Sequence, residues 1–386
     1  MSNGIKDRTR VAFLLLGGKE WLGGYNYLRN LCNALVKYQK DVVPVIFVGT
    51  DIEKHMLEPF AELDIEIVQD SVFNKTNKSK ILLQSLFLGK SSDIEKSFYD
   101  SHIDVLFENN VYFGWRTKFS VISWLPDFQH KHLPHMFPKL AWLKRELGFQ
   151  LLTKSSRPIM LSSNDAKKDC ETFYNVAADR IYVVPFSVEP PKIDEQYIDE
   201  CLRKYNIEQP FYYLPNQFWR HKNHSVAIKA LEKINNSNEN KILIICSGSS
   251  KDTRKDSYFT EIEELINLNN LENDFRLLGM IPYKDVIHLM YASCAVINPS
   301  FFEGWSTTVE EAKSLKKKLI VSNLSVHKEQ LKDEALFFNP YSYEELANIL
   351  STFKCETTVL NNEKIDNSVK VENYSNLFAN MIQEIK

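Results

Sequence analysis

Two glutamates on either side of a glycine turn are the residues of this sequence that best predict chemistry. The segment Pro299–Lys313 carries Glu303 and Glu311, follows a short apolar run and leads into helix-forming residues. That order predicts a strand, a loop and a helix whose first turn directs backbone N–H groups and a positive dipole end toward an anion. Carboxylates do not bind phosphate, but they accept hydrogen bonds from sugar hydroxyls. The segment therefore predicts a nucleotide-sugar site.

The same segment has a simpler interpretation as the capped start of an ordinary helix. Thr307 with Glu310, or Thr308 with Glu311, has the spacing of a capping box, in which each side chain bonds the other residue's backbone N–H. Spacing alone does not decide between a cap and a ligand site. If Thr307 and Glu310 form the box, Glu311 is left for a ligand.

A basic loop follows another apolar run in the second half of the chain. The segment Leu214–His224 contains Arg220 and Lys222. Lysine is a point charge suited to phosphate and arginine is a bidentate partner, so both fit a diphosphate whose negative charge grows as it leaves. The alternative is a solvated basic turn, which the apolar pair Phe218–Trp219 makes less favourable.

Two more polar loops follow predicted strands in the first half. Leu16–Asn26 has two double glycines, which let backbone approach a ligand closely, but it lacks the Gly-x-Gly-x-x-Gly dinucleotide fingerprint. Ile122–His135 offers Asp127 and His130, and a histidine near a carboxylate can do acid–base work. Its histidine spacing fits no standard zinc site, and packing is the default role for any one of these histidines.

Together these segments resemble the retaining family 4 glycosyltransferases of the GT-B fold. The Glu-x7-Glu signature of that family places its first glutamate by the donor sugar and its second on the nucleotide ribose, and Glu303 and Glu311 match the two positions. Ser306 and Thr308 stand where the family has glycine and proline. The resemblance spans nearly the whole chain and is strongest over residues 212–340.

The resemblance also assigns roles in the other loops. Lys222 matches the lysine of the family's phosphate-binding pair, whereas Gln217 replaces its arginine and Arg220 is the candidate substitute. Asp127 matches the aspartate of a His-Asp pair, and His130 is the candidate for its histidine. The implied catalytic residues are Asp127, His130, Lys222 and Glu303. The implied nucleotide-sugar-binding residues are Gly23, Gly24, Gln217, Arg220, Lys222, Glu303, Gly304, Trp305, Ser306, Thr307, Thr308 and Glu311.

Short apolar runs alternate with helical stretches along the chain and predict an α/β fold. Runs without polar alternation, such as Phe13–Leu16 and Ile242–Ile245, are typical of parallel strands buried on both faces. Two doubly wound sheets follow, with ligands at the carboxyl ends of the strands. The predicted strands are Val11–Gly17, Val42–Gly49, Asp104–Glu108, Phe119–Trp124, Ile159–Ser163, Ile181–Phe186, Phe211–Pro215, Lys241–Ser247, Phe275–Leu278, Cys294–Asn298, Lys318–Ser322 and Ala335–Phe338.

We expect two Rossmann-like domains that face a cleft, as the GT-B resemblance implies. Residues 1–190 are the predicted acceptor-side domain and residues 191–369 the predicted nucleotide-sugar domain, with a proline-containing linker near residue 190. Residues 370–386 carry a helical apolar stripe and are expected to pack back on the first domain. Ser71–Lys80, rich in asparagine, serine and lysine, is predicted to be a mobile loop.

Composition narrows the class of protein. The 386 residues carry a formal net charge of -3, with 44% hydrophobic and 25% charged residues, which is ordinary for a globular enzyme and gives no reason to expect a nucleic-acid partner. The six scattered cysteines form no Cys-x-x-Cys pair, and Cys246 and Cys294 are expected to be reduced, buried thiols. The polar N-terminus lacks a signal-peptide pattern and no apolar run reaches membrane-spanning length, so a cytoplasmic location is expected.

One helical segment suggests contact with the inner face of the cytoplasmic membrane. Met136–Arg157 combines leucines near one face with several lysines and arginines, a pattern that can rest on an anionic bilayer. The alternative is an ordinary helix whose apolar stripe packs on the sheet.

The functional prediction is a glycosyltransferase for surface polysaccharide such as lipopolysaccharide, O-antigen or capsule. The resemblance implies transfer with retention from a nucleotide-diphosphate sugar to a glycan or lipid-linked acceptor, and the absence of Asp-x-Asp from the sequence predicts that no metal or other cofactor is needed. A nucleotide-sugar epimerase of the same fold and a non-catalytic nucleotide-sugar-binding subunit are the alternatives. Gln217 and Pro126, both departures from the family pattern at active-site positions, keep the non-catalytic subunit open as an alternative.

Overall fold

The structure is a computed structural model that divides by contacts into two compact units. The first unit comprises Met1–Phe128, Lys144–Ser187 and Ser368–Lys386, and the second comprises Gln129–Leu143 and Val188–Asn367. The residues that the structure describes are 8–15, 22–109, 111–237, 241–250, 257–355 and 366–386.

The first unit is built on a seven-stranded, wholly parallel sheet in the order β3-β2-β1-β4-β5-β6-β7. The central strand β1 is almost fully buried because helices cover both faces of the sheet. The strands are β1 (Thr9–Leu14), β2 (Val42–Val48), β3 (Glu66–Gln69), β4 (Val105–Glu108), β5 (Ser120–Trp124), β6 (Ile159–Leu161) and β7 (Ile181–Val183).

The second unit has a six-stranded parallel sheet in the order β10-β9-β8-β11-β12-β13. Strand order reverses between β8 and β11, so the loops after these two strands meet at a topological switch point, where doubly wound folds bind ligands. The strands are β8 (Phe211–Leu214), β9 (Leu243–Cys246), β10 (Phe275–Leu277), β11 (Val296–Asn298), β12 (Leu319–Ser322) and β13 (Leu336–Phe338).

The predicted strands are all present. Strand β1 begins two residues before its predicted start and ends at Leu14, and each of the other predicted strands is shorter than predicted by one to three residues. The strand that sequence reasoning missed is β3. Its four residues, Glu66–Gln69, lie at a sheet edge and are exposed or half-buried. An edge strand needs no continuous apolar run, so the signal that revealed the buried strands was lacking there.

Fifteen helices of the described residues connect and cover the strands. They are α1 (Leu22–Tyr38), α2 (Glu58–Ala61), α3 (Lys78–Phe87), α4 (Ser92–Asp100), α5 (Gln129–His132), α6 (Lys139–Lys154), α7 (Asn164–Tyr174), α8 (Glu195–Lys204), α9 (His224–Asn236), α10 (Tyr258–Leu268), α11 (Tyr283–Ala292), α12 (Thr307–Ser314), α13 (Ser325–Leu331), α14 (Tyr343–Thr352) and α15 (Ser368–Ile385).

The last helix, α15, packs within the first unit. Tyr374 and Phe378 are buried, with the Tyr374 ring 6.2 Å from that of Tyr27 and the Phe378 ring 6.0 Å from that of Phe13. The apolar stripe read from the sequence is therefore the buried face of this helix.

The structure contradicts the prediction of an irregular loop at Ser71–Lys80. The segment forms two 3₁₀ turns and then enters α3. The Asp70 carboxylate accepts a hydrogen bond from the Val72 backbone N–H, and the Phe73 ring is buried against Phe47 and Phe98. One aromatic anchor and one cap order a segment whose composition alone is typical of a loop.

The prediction of a reduced Cys294 is also wrong. Cys294 and Cys355 are joined in a disulfide, with their Cα atoms 5.1 Å apart. The two cysteines are separated by 61 residues, and only the return of the chain after α14 brings Cys355 to the start of β11. Cys246, in β9, is a buried thiol as predicted.

Candidate functional site

The loops that follow β8 and β11 are joined directly at the switch point of the second sheet. The backbone N–H of Phe301 donates to the carbonyl of His221 at 2.8 Å. Asn223 sits in the left-handed backbone region, with φ of 54°, and its amide donates to the carbonyls of Pro299 and Pro340. These bonds hold the basic loop, which follows β8, against the glutamate loop, which follows β11. The two loops meet because β8 and β11 are neighbouring strands.

The centre of this site is an ion pair between the two loops. The Lys222 ammonium lies 2.6 Å from Oε1 of Glu303, and the two side chains are only 14% and 9% exposed. The same carboxylate oxygen accepts a second hydrogen bond, from the Ser300 hydroxyl at 2.6 Å. The structure thus brings two of the four predicted catalytic residues into contact, in a partly desolvated position where charge interacts more strongly than in water.

A chain of polar groups links this ion pair to the start of α12. The Ser300 hydroxyl, which shares its single proton between Glu303 and Oδ1 of Asn298, lies 2.7 Å from that oxygen. The Asn298 amide N–H in turn donates to the Ser306 hydroxyl at 2.8 Å. Ser306 is the N-cap of α12 and accepts from the Val309 N–H. Sequence reasoning did not single out Asn298 and Ser300, although both flank the proline that opens the motif.

Neither predicted capping box forms, because Ser306 rather than a threonine caps α12. Glu310 is buried and accepts from Lys313 at 2.7 Å and from the Gln330 amide at 3.0 Å. The capping interpretation of Thr307 with Glu310 and of Thr308 with Glu311 is therefore wrong.

Glu311 has a partner that sequence reasoning missed. The Tyr283 hydroxyl, at the start of α11, donates to Oε1 of Glu311 at 2.9 Å. Nearby, the Thr308 hydroxyl lies 3.3 Å from Oδ1 of Asn216 in the loop after β8. Glu311 is 7% exposed, so its carboxylate is oriented before any ligand binds.

Arg220 is held away from the ion pair. Its guanidinium makes a two-pronged contact with Glu261, at 2.9 and 2.8 Å, and stacks over the Tyr258 ring. Glu261 on α10 thereby pairs with the Arg220 charge, which was expected to replace the charge that Gln217 lacks. Gly304 and Trp305 complete the loop between Glu303 and the N-cap.

The predicted residues of the first half are placed as follows. Gly23 and Gly24 lie in the first turn of α1, and the rest of the double-glycine segment, residues 16–21, lies outside the described residues. Asp127 accepts a hydrogen bond from Arg145 at 2.6 Å. His130 is fully buried in α5, and its carbonyl accepts from the Trp142 indole N–H.

One aromatic contact next to Glu303 was not predicted. The His132 ring stacks on the Phe302 ring, with centroids 5.0 Å apart and planes 30° apart. Both residues belong to the second unit, so α5 contributes a histidine to the glutamate loop. The histidine-rich sequence drew attention to this segment, but only the structure identifies His132 as the residue in contact.

Two buried histidines flank the site. The Nδ1–H of His327, on α13, donates to the Ser322 carbonyl at 2.8 Å. Burial of this imidazole outweighs the nearby Glu303 carboxylate and lowers its pKa. His224, the first residue of α9, stacks on Phe218 at 4.4 Å, and burial lowers its pKa to about 3. Both imidazoles are neutral in the folded protein at neutral pH.

Because these histidines stay neutral in the folded protein, its free energy of unfolding falls as the pH is lowered. The unfolded chain takes up a proton on His224 as the pH falls through 6.5, whereas the folded chain does not until about pH 3. Stability is therefore lost between these values, by about 1.4 kcal/mol per pH unit for one proton. We expect His224→Phe to flatten the dependence of the urea midpoint on pH between 6.5 and 4. The exposed His55→Phe is the control, and an unchanged slope in His224→Phe would contradict the assignment.

The described residues offer neither a metal-binding cluster nor a membrane-spanning helix. No cluster of three or more histidine, cysteine, aspartate or glutamate side chains with metal-binding geometry occurs in the described ranges. Within those ranges, too, every helix is either too short or too polar to cross a bilayer.

Comparison with known proteins identifies the second unit. Residues 200–364 match the family model described as Glycosyl transferases group 1. The match includes both switch-point loops, so this part of the chain is similar to the group 1 glycosyl transferases. The prediction of a glycosyltransferase enzyme is confirmed at this level. No curated protein matches the chain.

Solved structures with the same fold cover nearly the whole chain. Alr3699/HepE of Anabaena, in complex with UDP and glucose, has a TM-score of 0.69 at 16% identity and covers 97% of this chain and 100% of its own. Sucrose-phosphate synthase of Thermosynechococcus elongatus has 0.66 at 13%, covering 98% and 95%. WaaG, a glycosyltransferase of lipopolysaccharide biosynthesis, has 0.62 at 13%, covering 95% and 94%. The predicted GT-B fold class is confirmed.

Proposed function

We propose that the chain, which is similar to the group 1 glycosyl transferases over residues 200–364, transfers a sugar from a nucleotide-diphosphate donor to a glycan or lipid-linked acceptor of surface polysaccharide. The observation that carries the proposal is the buried pair of Lys222 and Glu303, held at the switch point beside the first turn of α12. A cation, a carboxylate and a helix N-terminus at one strand edge suit a ligand that has both a diphosphate and sugar hydroxyls.

The proposed roles follow from charge and position. Lys222 and the first-turn amides of α12 bind the diphosphate, which gains negative charge as it leaves. Glu303 accepts from a hydroxyl of the donor sugar, and Glu311, oriented by Tyr283, accepts from the nucleotide ribose. Roles for Asp127 and His130 in the reaction stay predictions.

We propose that transfer retains the configuration of the sugar. The bond between the anomeric carbon and the diphosphate oxygen breaks, and the acceptor hydroxyl oxygen forms the new bond on the same face. The acceptor proton passes to the departing phosphate oxygen, so the step balances without a protein base. Lys222 supplies positive charge at the leaving group, and on this basis we propose that no metal is required.

Proteins with the same fold support the proposed donor and acceptor classes. Alr3699/HepE was solved with UDP and glucose, which makes UDP the first nucleotide to test. WaaG acts in lipopolysaccharide biosynthesis, which supports a surface-polysaccharide acceptor. Sucrose-phosphate synthase shares the fold and is named for a different product, so the acceptor needs its own experiment.

A non-catalytic nucleotide-sugar-binding subunit is the second candidate. Arg220 is engaged by Glu261, and Gln217 carries no charge, so the phosphate side of the site has less positive charge than the family pattern provides. Such a subunit binds the nucleotide-sugar and releases no nucleotide. Release of nucleotide diphosphate in the presence of acceptor extract separates the two candidates.

The decisive test is thermal unfolding with UDP, GDP and ADP, on the wild type and on Glu311→Ala. A nucleotide at about 100 times its Kd stabilises the folded state by about 2.7 kcal/mol. We expect one nucleotide to raise the midpoint of the wild type and to lose most of that effect in Glu311→Ala. Tyr283→Phe, which removes only the hydroxyl that orients the carboxylate, should lose part of it.

The control for these variants is Tyr341→Phe, which removes the hydroxyl of a tyrosine that is 75% exposed. Its midpoint shift should equal that of the wild type. If no nucleotide shifts the wild-type midpoint, or if Glu311→Ala responds fully, the donor site is not where we place it.

A further inference from the structure

A cavity of about 390 Å³ lies beside the edge strand of the first sheet. Its walls are the end of β3, the loops after β2 and β3, and one face of α4, all of which belong to the first unit. The volume is within the range of about 300 to 1,000 Å³ that is usual for sites of small organic ligands. We call it the β3–α4 cavity, and its lining includes Asp70, Asp93, Lys96, Ser97 and Asp100.

The walls of the β3–α4 cavity are held together by packing and by a hydrogen bond. The Phe73 ring, from the turn after β3, lies 5.8 Å from the Phe98 ring of α4, and both rings are buried. The Asn74 side-chain oxygen accepts from the Thr50 backbone N–H at 2.7 Å, which joins the loop after β3 to the loop after β2. The cavity therefore has its shape without a ligand.

The side chain of Ser97 has an unused hydrogen-bonding group at this cavity. Ser97 is 7% exposed, and within the described residues its hydroxyl makes no hydrogen bond. Most buried polar side chains do have a partner, so this hydroxyl has a donor and acceptor lone pairs to offer to an occupant of the cavity. Asp93 and Asp100 lie four residues before and three residues after it, on the same face of α4.

Three carboxylates of the lining supply hydrogen-bond acceptors around this hydroxyl. Asp93 is paired with Lys80 at 2.9 Å, and Asp100 is paired with Lys96 at 2.9 Å. The Asp70 carboxylate, at the end of β3, accepts from a backbone N–H of the following turn. A carboxylate has about four lone-pair sites, so each of the three can accept further hydrogen bonds and keep its present partner.

The lining disfavours three classes of ligand. An apolar ligand would desolvate the carboxylates, and Val68 is the one apolar residue among those that line the cavity. An anion would meet three carboxylates and a single lysine of the lining. A metal ion is disfavoured because the described residues contain no group of carboxylates with metal-binding geometry. A neutral molecule with several hydroxyls, which both donate and accept, fits these groups.

We propose that the β3–α4 cavity binds a sugar ring of a glycan chain. Hydroxyl groups of the sugar donate to the carboxylates, and one sugar oxygen accepts from Ser97. The identity of the glycan as the acceptor rests on the proposed function. Strand order in the first sheet reverses between β1 and β4, and β3 lies two strands away from β1. The cavity is therefore an additional subsite, to one side of the crevice where doubly wound folds bind their main ligand.

The test is ligand-observed NMR on the full chain with the methyl glycosides of glucose, galactose and mannose. We expect at least one of them to bind with a Kd on the order of 1 mM, as suits a small ligand held by a few hydrogen bonds. Ser97→Ala should weaken this binding about fivefold. Asp93→Asn should weaken it at least about tenfold, because a hydrogen bond to a charged acceptor is stronger than one to a neutral acceptor.

The matched control is Ser92→Ala, because Ser92 lies on the same helix, is exposed and does not line the cavity. It should bind the glycoside as the wild type does. Ser97→Ala should keep the wild-type melting midpoint, since its hydroxyl has no hydrogen bond to lose within the described structure. Failure of all three glycosides to bind, or equal affinity in the wild type and Ser97→Ala, overturns the proposal. So does binding that calcium chloride abolishes, because the carboxylates would then form a cation site.

The result is separable from the outcome at the donor site. Glycoside binding that depends on Ser97, in a chain whose melting midpoint no nucleotide shifts, contradicts the proposed function and supports the sugar site. A nucleotide shift without any glycoside binding does the reverse. If the chain is an active transferase, Ser97→Ala should raise the KM for the acceptor about fivefold and change kcat less. An unchanged KM for the acceptor means that the bound sugar is not part of it, and overturns that assignment.

Discussion

Replacing Lys222 by methionine is expected to lower kcat/KM for sugar transfer by about 100- to 1,000-fold. The change keeps the length of the side chain and removes the one cation that the described structure places on Glu303. A charge aimed at a leaving group in a partly buried site contributes about 3 to 4 kcal/mol to transition-state stabilisation. The measurement is the initial rate of nucleotide diphosphate release from the nucleotide-sugar whose nucleotide stabilises the wild type.

Loss of Lys222 also has a structural cost that has to be separated from its catalytic effect. Glu303 is 9% exposed, and without its lysine partner it becomes a buried carboxylate that keeps the hydrogen bond from the Ser300 hydroxyl. Breaking one partner of a buried ion pair destabilises a fold by about 3 to 5 kcal/mol. Lys222→Met is therefore expected to be less stable as well as less active.

The chain contains a matched control for this separation. Lys313 and Glu310 form a second buried pair in the same unit, at 2.7 Å and with 16% and 1% exposure. Lys313→Met should lose comparable stability while its rate falls far less. The double variant Lys222→Met with Glu303→Gln should recover stability and stay inactive. If Lys313→Met and Lys222→Met lose activity equally, Lys222 has only a structural role.

The fold could be predicted because buried parallel strands have a distinctive sequence. Strands such as β9, whose four residues Leu243–Cys246 are all buried, need apolar side chains on both faces. The edge strand β3 has no such need and was missed. The disulfide of Cys294 was missed for a different reason, since it depends on where the chain returns after α14.

The candidate site could be predicted in part. Lys222 and Glu303 each follow a strand, and strands β8 and β11 are neighbours, so their loops meet. The residues that orient Glu311 and Arg220 lie on other helices, and no pattern in the sequence indicates that these helices pack beside the site. Tyr283 reaches Glu311 from α11, and Glu261 reaches Arg220 from α10. A pairwise contact between distant segments is a property of packing, which no local pattern encodes.

The most consequential of these unpredicted contacts is made by Gln330. Its side chain accepts from the Ser306 backbone N–H at 3.3 Å and donates to the Ser306 carbonyl at 2.9 Å and to Glu310 at 3.0 Å. Gln330 and Ser306 are both buried, at 5% and 1% exposure. One amide thus fixes the N-cap of α12, and through Asn298 and Ser300 it supports Glu303.

We expect Gln330→Met to destabilise the protein by roughly 3 kcal/mol and to weaken donor binding at least about tenfold. Methionine keeps the volume but makes none of the three hydrogen bonds, and it leaves the buried Ser306 N–H and carbonyl without this partner. The free energy of unfolding follows from urea titration and the affinity from calorimetry with the stabilising nucleotide. Lys328→Met, an exposed change on the same helix, is the control and should alter neither quantity.

The two readouts distinguish a structural role from a positioning role. If α12 must be held in place to bind the donor, saturating nucleotide should restore part of the stability lost in Gln330→Met, because binding then selects the ordered N-terminus. The affinity should fall more for the nucleotide-sugar than for the nucleotide, since Glu303 lies at the sugar end of the proposed site. The opposite outcome is a Gln330→Met protein that is less stable but binds the nucleotide and the nucleotide-sugar with wild-type affinity. In that case the first turn of α12 keeps its geometry without the Gln330 amide, and Ser306 alone positions the phosphate.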